Sequence, residues 1–492
     1  MKKTRRFFAL LCVVVMSLML MSCGAAPAGK TEAEPKEVPA VMPVIRINTA
    51  DGSNDFATRP TRDSKFSDEI VYVDATVSVD SDSEQYSITD AVAKVKVRGN
   101  WTLNYPKKSL RIKFDEKQNM LGLNDGQKFK NWVLLAEWKD VSMCNTATAL
   151  YLADALLGED GYYCTDYLFA EVYLNDTYWG VYLLAEQQEV KEGRVSVPEP
   201  EKNYTGTDIG YFFEYDGYYL DESNIPDGDP TFEIDYGNFA IGKPGSVILG
   251  GYKTDGMHGY TVKSDIYSDE QLAFIASYVE NVYKILYSAV CEDTHYVFSE
   301  DRTGLVPAED LTSFQVISEV IDVQSLVDTY LLHEIVIDPD IGWSSFYMSV
   351  DMSETGDGKL TLEAPWDFDS CFGLRDGWQN WEGMYARDTW NPNPWLSILH
   401  EEEWFIGMVK DRWAELKAGG VPEAAIERVR TYKELYKDNF AGNFVRWEER
   451  ITAGNEEVVP ELRECRTQGE AADYLCDWLQ KRFDYLDKWL GE

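Results

Sequence analysis

Zinc-binding patterns are missing from this chain of 492 residues, which argues against a structural zinc site. The four histidines lie far apart in the sequence, and no two cysteines stand in a Cys-x-x-Cys pair. Structural zinc ions need Cys or His ligands at short, regular spacings. The sequence contains no internal repeat either, so its fold is not built from one recurring unit.

Basic side chains are also scarce. The chain has 46 Lys and Arg against 85 Asp and Glu, which gives a formal net charge of −39. Nucleic acids and anionic lipid head groups are bound by basic surfaces, so both are poor partners for this chain. A basic or cation-bearing partner is easier to accommodate.

The N-terminus has the features of an export signal. Basic residues between Lys2 and Arg6 precede an apolar run from Phe7 to Met21. This run is short for a membrane span and is followed by small residues, as in a cleaved signal peptide of residues 1–22. Removing its four basic side chains leaves 42 basic against 85 acidic side chains and lowers the formal charge from −39 to −43.

The sequence Leu20-Met21-Ser22-Cys23 resembles a bacterial lipobox. This resemblance implies cleavage before Cys23 and acylation of its thiol, whereas the alternative is an ordinary signal peptide with a chance cysteine. Residues 25–40 are rich in Ala, Pro, Glu and Lys, so we predict a flexible tether over residues 23–42. We therefore expect an extracytoplasmic protein that is lipid-anchored to the bacterial membrane.

The remaining chain is long and apolar enough to form two lobes. Hydrophobic residues make up 45% of the sequence, with 15 Trp and 30 Tyr, which is sufficient for a large core. Its length exceeds that of a usual single domain. Six cysteines follow Cys23, and an even number in an exported chain allows disulfide bonds. Buried free thiols are equally compatible with the sequence.

Sequence patterns predict an α+β fold with a β-rich N-lobe over residues 43–205. Period-two alternation in runs such as 93–97 and 109–114 predicts strands of a mostly antiparallel sheet with one wet face. An Ala- and Leu-rich segment, residues 142–157, predicts a helix packed on that sheet. Asn175-Asp176, between two further strands, predicts a hairpin turn.

Helices dominate the predicted C-lobe, residues 206–492. A capping box at Ser268 and Gln271 marks the start of one of them. The predicted helices are residues 268–290, 326–335 and 422–436. One predicted strand pair interrupts them, comprising residues 345–350 and 360–363.

One predicted strand carries charge where apolar residues are expected. Lys108 shares a face with Leu110 and Ile112, whereas Arg111 points the other way. An unpaired buried ammonium group is costly, so Lys108 needs a partner. A phosphate group and a helix carboxylate are both candidates, and the residue pattern alone favours the structural ion pair.

Two further segments place carboxylates among aromatic and apolar residues. They run from Asp338 to Tyr347 and from Pro365 to Gly373. Oxygen donors in a shielded place suit a hard cation or a general base, although aspartates also cap helices and set turns. The predicted strand hairpin between the two segments would bring them to one place.

Five motifs occur in one order along the chain. They are Arg98-Gly99-Asn100, Pro106-Lys107-Lys108, Asn131-Trp132-Val133-Leu134-Leu135, Tyr178-Trp179-Gly180-Val181-Tyr182-Leu183-Leu184-Ala185-Glu186 and Pro365-Trp366-Asp367-Phe368-Asp369. From about residue 90 to 380 the chain thereby resembles the CotH kinase family of spore coat protein H-like atypical protein kinases. This resemblance implies an atypical protein-kinase-like two-lobe fold that binds ATP with Mg²⁺ or Mn²⁺. It also implies transfer of the γ-phosphate to Ser or Thr of a protein substrate.

The resemblance implies roles for individual residues. Asp340 would accept the proton of the substrate hydroxyl group, and Asp367 and Asp369 would bind the metal ion. The cofactor-binding residues by the same resemblance are Arg98, Lys108, Arg111 and Glu186, and for Glu186 a structural role is the alternative. Ser345 stands at the metal-binding position five residues after Asp340, where kinases have Asn, and its hydroxyl group is a weaker cation ligand. Asn145 stands where the family commonly has Arg.

Two other functions fit parts of the same sequence. A non-catalytic surface adhesin or scaffold with this fold is favoured by Ser345, Asn145 and the tether. Paired acids near a group of tryptophans suggest a carbohydrate-active protein, although sugar hydrolysis would not need the basic strand. These tryptophans are Trp378, Trp381, Trp390 and Trp395. For a kinase we expect a basic or Ser/Thr-rich protein as the partner.

Overall fold

The computed structural model describes most of the chain after residue 37. The described residues are 38–66, 70–222, 228–236, 258–300, 302, 304–377, 380–388, 392–448 and 457–491. The predicted signal peptide, the predicted lipidation site Cys23 and the tether as far as residue 37 lie outside them. Met42, at the end of the predicted tether, is buried, so the folded part begins before residue 43. No helix in the described ranges has the length and apolarity needed to cross a bilayer.

Seven strands in the first part of the chain close into a barrel in the order β1-β2-β3-β4-β5-β7-β6. Their bounds are β1 Val44–Thr49, β2 Val73–Asp80, β3 Ile88–Arg98, β4 Ser109–Gln118, β5 Phe129–Leu135, β6 Tyr167–Leu174 and β7 Thr177–Glu186. Neighbouring strands are antiparallel except β1 and β6, whose parallel pairing closes the barrel. The prediction of mostly antiparallel strands is confirmed, and closure leaves the sheet without a free edge.

Alternating apolar residues fill the interior of the barrel. The inward-facing residues of β3 and β4, none more than 1% exposed, are Ala93, Val95, Val97, Leu110, Ile112 and Phe114. Period-two alternation produces this face because successive side chains of a strand point in opposite directions. The predicted hairpin turn joins β6 to β7, and Asn175 and Asp176 have positive φ angles of 46° and 60°. Two-residue type I′ turns require such angles, which Asn and Asp tolerate.

A second sheet has five strands in the order β14-β13-β8-β10-β9. Its strands are β8 Gly210–Asp216, β9 Thr231–Phe232, β10 Gly259–Val262, β13 Phe346–Asp351 and β14 Thr361–Leu362, and a separate hairpin consists of β11 Tyr296–Phe298 and β12 Leu305–Pro307. The sequence predicted only the pair β13 and β14 in this region. It missed β8 because every residue of β8 is buried, so the strand lacks the alternation of a half-buried one.

Helices make up most of the remaining chain. The described α-helices are α1 Asp55–Thr58, α2 Asn145–Ala153, α3 Tyr219–Glu222, α4 Asp269–Cys291, α5 Ser313–Ser318, α6 Val323–Val336, α7 Tyr385–Asp388, α8 Pro394–Ser397, α9 Glu403–Ala418, α10 Val421–Leu435, α11 Lys437–Arg446, α12 Pro460–Glu464 and α13 Gln468–Leu490. Short 3-10 turns are Arg62–Phe66, Glu84–Tyr86, Trp101–Asn104, Asn124–Gly126 and Ile398–Glu401. The three helices predicted in the second part of the chain correspond to α4, α6 and α10. The capping box at Ser268 and Gln271 is confirmed at the start of α4.

The helix predicted over residues 142–157 begins only at Asn145. Asp140 accepts hydrogen bonds from the N–H groups of Ser142 and Asn145, both at 2.8 Å, so the residues before α2 form a turn. After α2 the chain continues as a π-helical turn, Asp154–Gly158. The turn before α2 places Asp140 and its neighbours between β5 and α2.

The six cysteines after Cys23 are thiols that form no disulfide bond with one another. Cys144, Cys371 and Cys476 are buried, and the other three are partly buried. Of the two alternatives that the sequence left open, the structure contains thiols rather than disulfide bonds.

Candidate functional site

A cavity of about 1060 Å³ is lined by residues of both the barrel and the five-stranded sheet. The barrel contributes β3, β4 and the segment after β5, and the second sheet contributes β8 and the loops beside β13 and β14. The predicted site residues that line this cavity are Arg98, Arg111, Asp340, Ser345, Asp367 and Asp369. Residues that are distant in sequence are therefore brought to one place.

The loops beside the β13–β14 hairpin carry the three predicted acids. Asp340 and Ser345 precede β13, whereas Asp367 and Asp369 follow β14. Ser345 and Asp367 have positive φ angles of 65° and 71°, which are sparsely populated by residues with a side chain. Ser345 Oγ lies 3.4 Å from Asp367 Oδ2, so the two loops meet inside the cavity. The hairpin thus returns the chain to its starting point, as the sequence predicted.

Two of the three acids have a cationic partner. Lys139 Nζ lies 2.8 Å from Asp369 Oδ1 and 2.5 Å from Ser370 Oγ. A guanidinium nitrogen of Arg375 lies 2.5 Å from Asp340 Oδ1. Asp367 has no ion-pair partner within the part of the chain that the structure describes. The sequence did not predict Lys139 or Arg375, although both stand close to predicted acids or motifs.

The surroundings of Asp367 favour its protonated form. Its carboxyl group is open to the solvent of the cavity, but protein atoms enclose it on most sides. This enclosure, with the nearby Asp369 and Asp340, raises the pKa of Asp367 to about 7, and Lys139 and Arg98 oppose the rise. Burial alone would lower the pKa of Lys139, but the carboxylate of Asp369 raises it above its ordinary value, so Lys139 remains charged.

Two arginines of the barrel face the acids without carboxylate partners of their own. No carboxylate of the described residues lies within ion-pair distance of Arg98 or Arg111. Arg111 Nε is buried and has no hydrogen-bond partner among the described residues. The Arg98 guanidinium lies 5.3 Å from the ring centroid of Trp366, and burial lowers the pKa of Arg98. Guanidinium groups without a carboxylate partner beside a cavity fit an anionic ligand such as a phosphate group, since guanidinium groups bind phosphates well.

The structure places Lys107, rather than Lys108, at the cavity. Lys108 is buried immediately before β4, and its Nζ donates a hydrogen bond of 2.6 Å to the carbonyl oxygen of Tyr105. Lys108 is not among the described residues that line the cavity, so this placement does not support its predicted phosphate contact. Burial lowers the pKa of Lys108. Lys107 does line the cavity, and its Nζ donates to the carbonyl oxygens of Ala136 and Val181.

Glu186 also lies away from the cavity lining. Its carboxylate is buried and pairs with Arg194, with 3.0 Å between Oε1 and Nε. It further accepts hydrogen bonds from Asn124 Nδ2 at 2.6 Å and from the N–H of Asp166 at 3.0 Å. Of the two roles that the sequence left open for Glu186, this geometry supports the structural one.

Strand β8 supplies two further carboxylates that the sequence missed. Glu214 accepts a hydrogen bond from the N–H of Ser345 at 2.8 Å and pairs with Lys263 at 3.2 Å. Asp216 accepts hydrogen bonds from Thr261 Oγ1 and the N–H of Tyr218, at 2.8 and 2.7 Å. Burial, together with Glu214, raises the pKa of Asp216 to about 7. Glutamate and aspartate two residues apart in an otherwise apolar run were the available signal, because both then face the same side of a strand.

The carboxylates of the cavity suit a divalent cation only when a bound nucleotide supplies further oxygen ligands. In the described ranges no group of three or more His, Cys, Asp or Glu side chains is placed to hold a metal ion. Asp367 and Asp369 nevertheless offer carboxylate oxygens to the same cavity that Arg98 and Arg111 line. Mg²⁺ is commonly held by one or two carboxylates plus substrate phosphates, so these residues fit a metal–nucleotide complex.

Among the tryptophans that suggested a carbohydrate-active protein, one is part of the core. Trp395 is completely buried and donates a hydrogen bond to Tyr260 Oη at 3.1 Å. Trp378 and Trp390 lie outside the described residues. Asn145 is buried, and its Nδ2 donates to the carbonyl oxygen of Cys371 at 3.0 Å, so it does not reach the cavity.

The chain was also compared with known proteins. The family model described as CotH kinase protein matches residues 95–237 and 303–486. The match continues well beyond residue 380, where the sequence resemblance was expected to end. A comparison with curated proteins gave no match. Because the two matched segments together make up most of the chain, the protein belongs to the CotH kinase family.

Proposed function

We propose that this member of the CotH kinase family is an ATP-dependent protein kinase that phosphorylates Ser or Thr of a protein substrate. The observation that carries the proposal is that Arg98 and Arg111, which have no ion-pair partner among the described residues, line one cavity together with the acids Asp340, Asp367 and Asp369. Phosphoryl transfer needs mainly positioning and charge neutralisation, which cations and acids that line one cavity can supply. Family membership and the barrel also support a two-lobe kinase-like fold with the barrel as the N-lobe.

The proposed roles follow from the partners of each residue. Arg98 and Arg111 bind phosphate oxygens, because both line the cavity without an ion-pair partner among the described residues and Arg111 Nε is a buried donor with no acceptor there. Asp340 is the base for the substrate hydroxyl group, and the Arg375 partner holds its carboxylate in place. Asp367 and Asp369 would hold Mg²⁺ or Mn²⁺, which supplies Lewis-acid stabilisation of phosphate charge when bound.

The cellular setting is part of the proposal. A lipobox-like sequence at Cys23 and the tether that follows support attachment to the outer face of the bacterial membrane. The excess of acidic side chains supports a basic or Ser/Thr-rich protein substrate, since opposite charge favours encounter.

A non-catalytic adhesin or scaffold is the second candidate. Ser345 favours it, because its hydroxyl group already contacts Asp367 and its N–H is held by Glu214. A kinase with the usual Asn at this position would have a stronger cation ligand.

The two candidates are separated by nucleotide binding and phosphate transfer. The mature chain is incubated with radiolabelled ATP and Mn²⁺ or Mg²⁺, and autophosphorylation is measured beside nucleotide affinity. We expect Arg111→Gln to weaken ATP binding by about tenfold or more, because charge-assisted hydrogen bonds contribute about 1.5–3 kcal/mol. Arg46→Gln is the matched control, since Arg46 lies on the outside of the barrel and pairs with Asp80. Wild-type protein that binds no nucleotide would favour the scaffold.

A further inference from the structure

The three acids of the site are not equally in need of a cation. Asp369 has the ammonium group of Lys139 at 2.8 Å, and Asp340 has the guanidinium group of Arg375 at 2.5 Å. Asp367 has only the hydroxyl group of Ser345 at 3.4 Å as a close side-chain partner in the described part of the chain. The protein therefore already neutralises two of the three negative charges, and one carboxylate remains uncompensated.

Lys139 is built into the site rather than resting on its surface. Its side chain is only 11% exposed and that of Asp369 only 17%, so solvent screens the pair weakly. Lys139 also donates to Ser370 Oγ, so one ammonium group joins the segment after β5 to the segment after β14. Lys139 lines the same cavity as Asp340 and Asp367.

Protein kinases place two divalent ions at the phosphates, held by an Asp after the catalytic loop and an Asn within it. In this chain Ser345 stands at the position of that Asn, and its backbone N–H is committed to Glu214. One ligand of a second metal ion is therefore replaced by a weaker one. At the same time a protein cation lies on Asp369, where a second ion would find a carboxylate.

We propose that the Lys139 ammonium group takes the place of one of the two divalent ions, so that the site uses a single metal ion. This inference rests on the proposed function, because it concerns how the same site would balance the charge of ATP. It explains both the presence of Ser345 in place of Asn and the ion pair of Lys139 with Asp369. The loss of the Asn ligand costs little where a lysine supplies the positive charge. A fixed ammonium group also carries its charge without depending on the metal concentration of the surroundings.

The test counts metal ions rather than activity. Binding of Mn²⁺ to the full mature chain is measured by electron paramagnetic resonance, with a non-hydrolysable ATP analogue at saturation. The wild type and Lys139→Arg should bind one Mn²⁺ per chain, because Arg keeps the positive charge. Lys139→Met should bind a second Mn²⁺, or bind the first more tightly by about tenfold, since an uncompensated carboxylate attracts the cation. Lys417→Met is the matched control, because Lys417 and Asp487 form an ion pair of the same 2.8 Å length outside the cavity lining.

The outcomes separate this inference from the proposed function. Two Mn²⁺ ions in the wild type would overturn the inference and leave a kinase with ordinary metal use. Metal binding by Lys139→Met that equals the wild type in number and affinity would also overturn it. A wild-type chain that binds neither nucleotide nor Mn²⁺ would overturn both. If Lys139→Met does not fold, the counts for the wild type and Lys139→Arg still decide the question.

Discussion

Glu186 lies in a family motif, yet its geometry is that of a structural ion pair. Its side chain is 1% exposed, and that of its partner Arg194 is completely buried. Arg194 also contacts Glu189, donates to the carbonyl oxygen of Asn131 at 3.1 Å and lies 3.9 Å from the ring centroid of Phe129. This network joins the end of β7 to β5 and to the segment that follows β7.

Removing Arg194 should therefore destabilise the fold strongly. Arg194→Met retains most of the aliphatic length but leaves Glu186 buried without its cation. Removing one partner of a buried pair costs about 3–5 kcal/mol, and the hydrogen bonds from Asn124 and Asp166 place this case towards the lower end. Arg46→Met is the control, because the exposed pair of Arg46 and Asp80 should contribute about 1 kcal/mol or less.

The effect should depend on pH with a definite sign. Burial raises the pKa of Glu186, and Arg194 opposes that rise. A carboxyl group whose pKa is raised in the folded state binds protons more readily there than in the unfolded chain. Stability is therefore lost as the pH rises through the folded pKa. Without Arg194 this loss grows, so Arg194→Met should be more damaging at about pH 8 than at about pH 5.

Urea unfolding followed by tryptophan fluorescence measures both effects. ATP binding to Glu186→Gln, measured under conditions in which the variant is folded, then separates the structural role from a nucleotide contact. We expect a lower unfolding midpoint and almost unchanged nucleotide affinity. A variant that is as stable as the wild type but no longer binds ATP would refute the structural role.

Three further predictions test other parts of the proposal. Asp340→Asn should bind ATP nearly as well as the wild type but lose phosphate transfer, as single-turnover assays would show, because a base is needed for chemistry more than for affinity. Cys23→Ser should abolish fatty-acid labelling and membrane attachment, and unchanged labelling would contradict the lipid anchor. Gly373→Ala should lower the unfolding midpoint more than Gly52→Ala, because both have φ near 70° but a Cβ at Gly373 would lie 2.2 Å from Trp478 Nε1.

The sequence predicted the convergence of the acids because that convergence depends on local structure. A hairpin between Ser345 and Asp367 brings these two residues close together, and this does not depend on the rest of the fold. Arg98 and Arg111 were predicted as cofactor-binding residues from the family resemblance, and strand periodicity added only that Arg111 points away from the apolar face.

The choice between Lys107 and Lys108 could not be made in this way. Alternation separates the two faces of β4 but does not say which face lines a cavity, and closure of the barrel decides that point. The sequence correctly predicted that Lys108 needs a partner, but this partner is the backbone carbonyl group of Tyr105. Lys139 was missed because its partner, Asp369, lies 230 residues away and is chosen by tertiary packing.

The C-terminal helix α13 explains why the family match continues to residue 486. Gln468 Nε2 donates to the carbonyl oxygen of Ser142 at 2.8 Å, beside the turn that follows Lys139. Further along α13, Tyr474 Oη donates to the carbonyl oxygen of Gly373 at 3.1 Å, just after the segment that carries Asp367 and Asp369. The buried Arg482 donates to the carbonyl oxygen of Glu334 at 3.0 Å, on the helix that precedes Asp340. One helix thus contacts all three segments that carry the site.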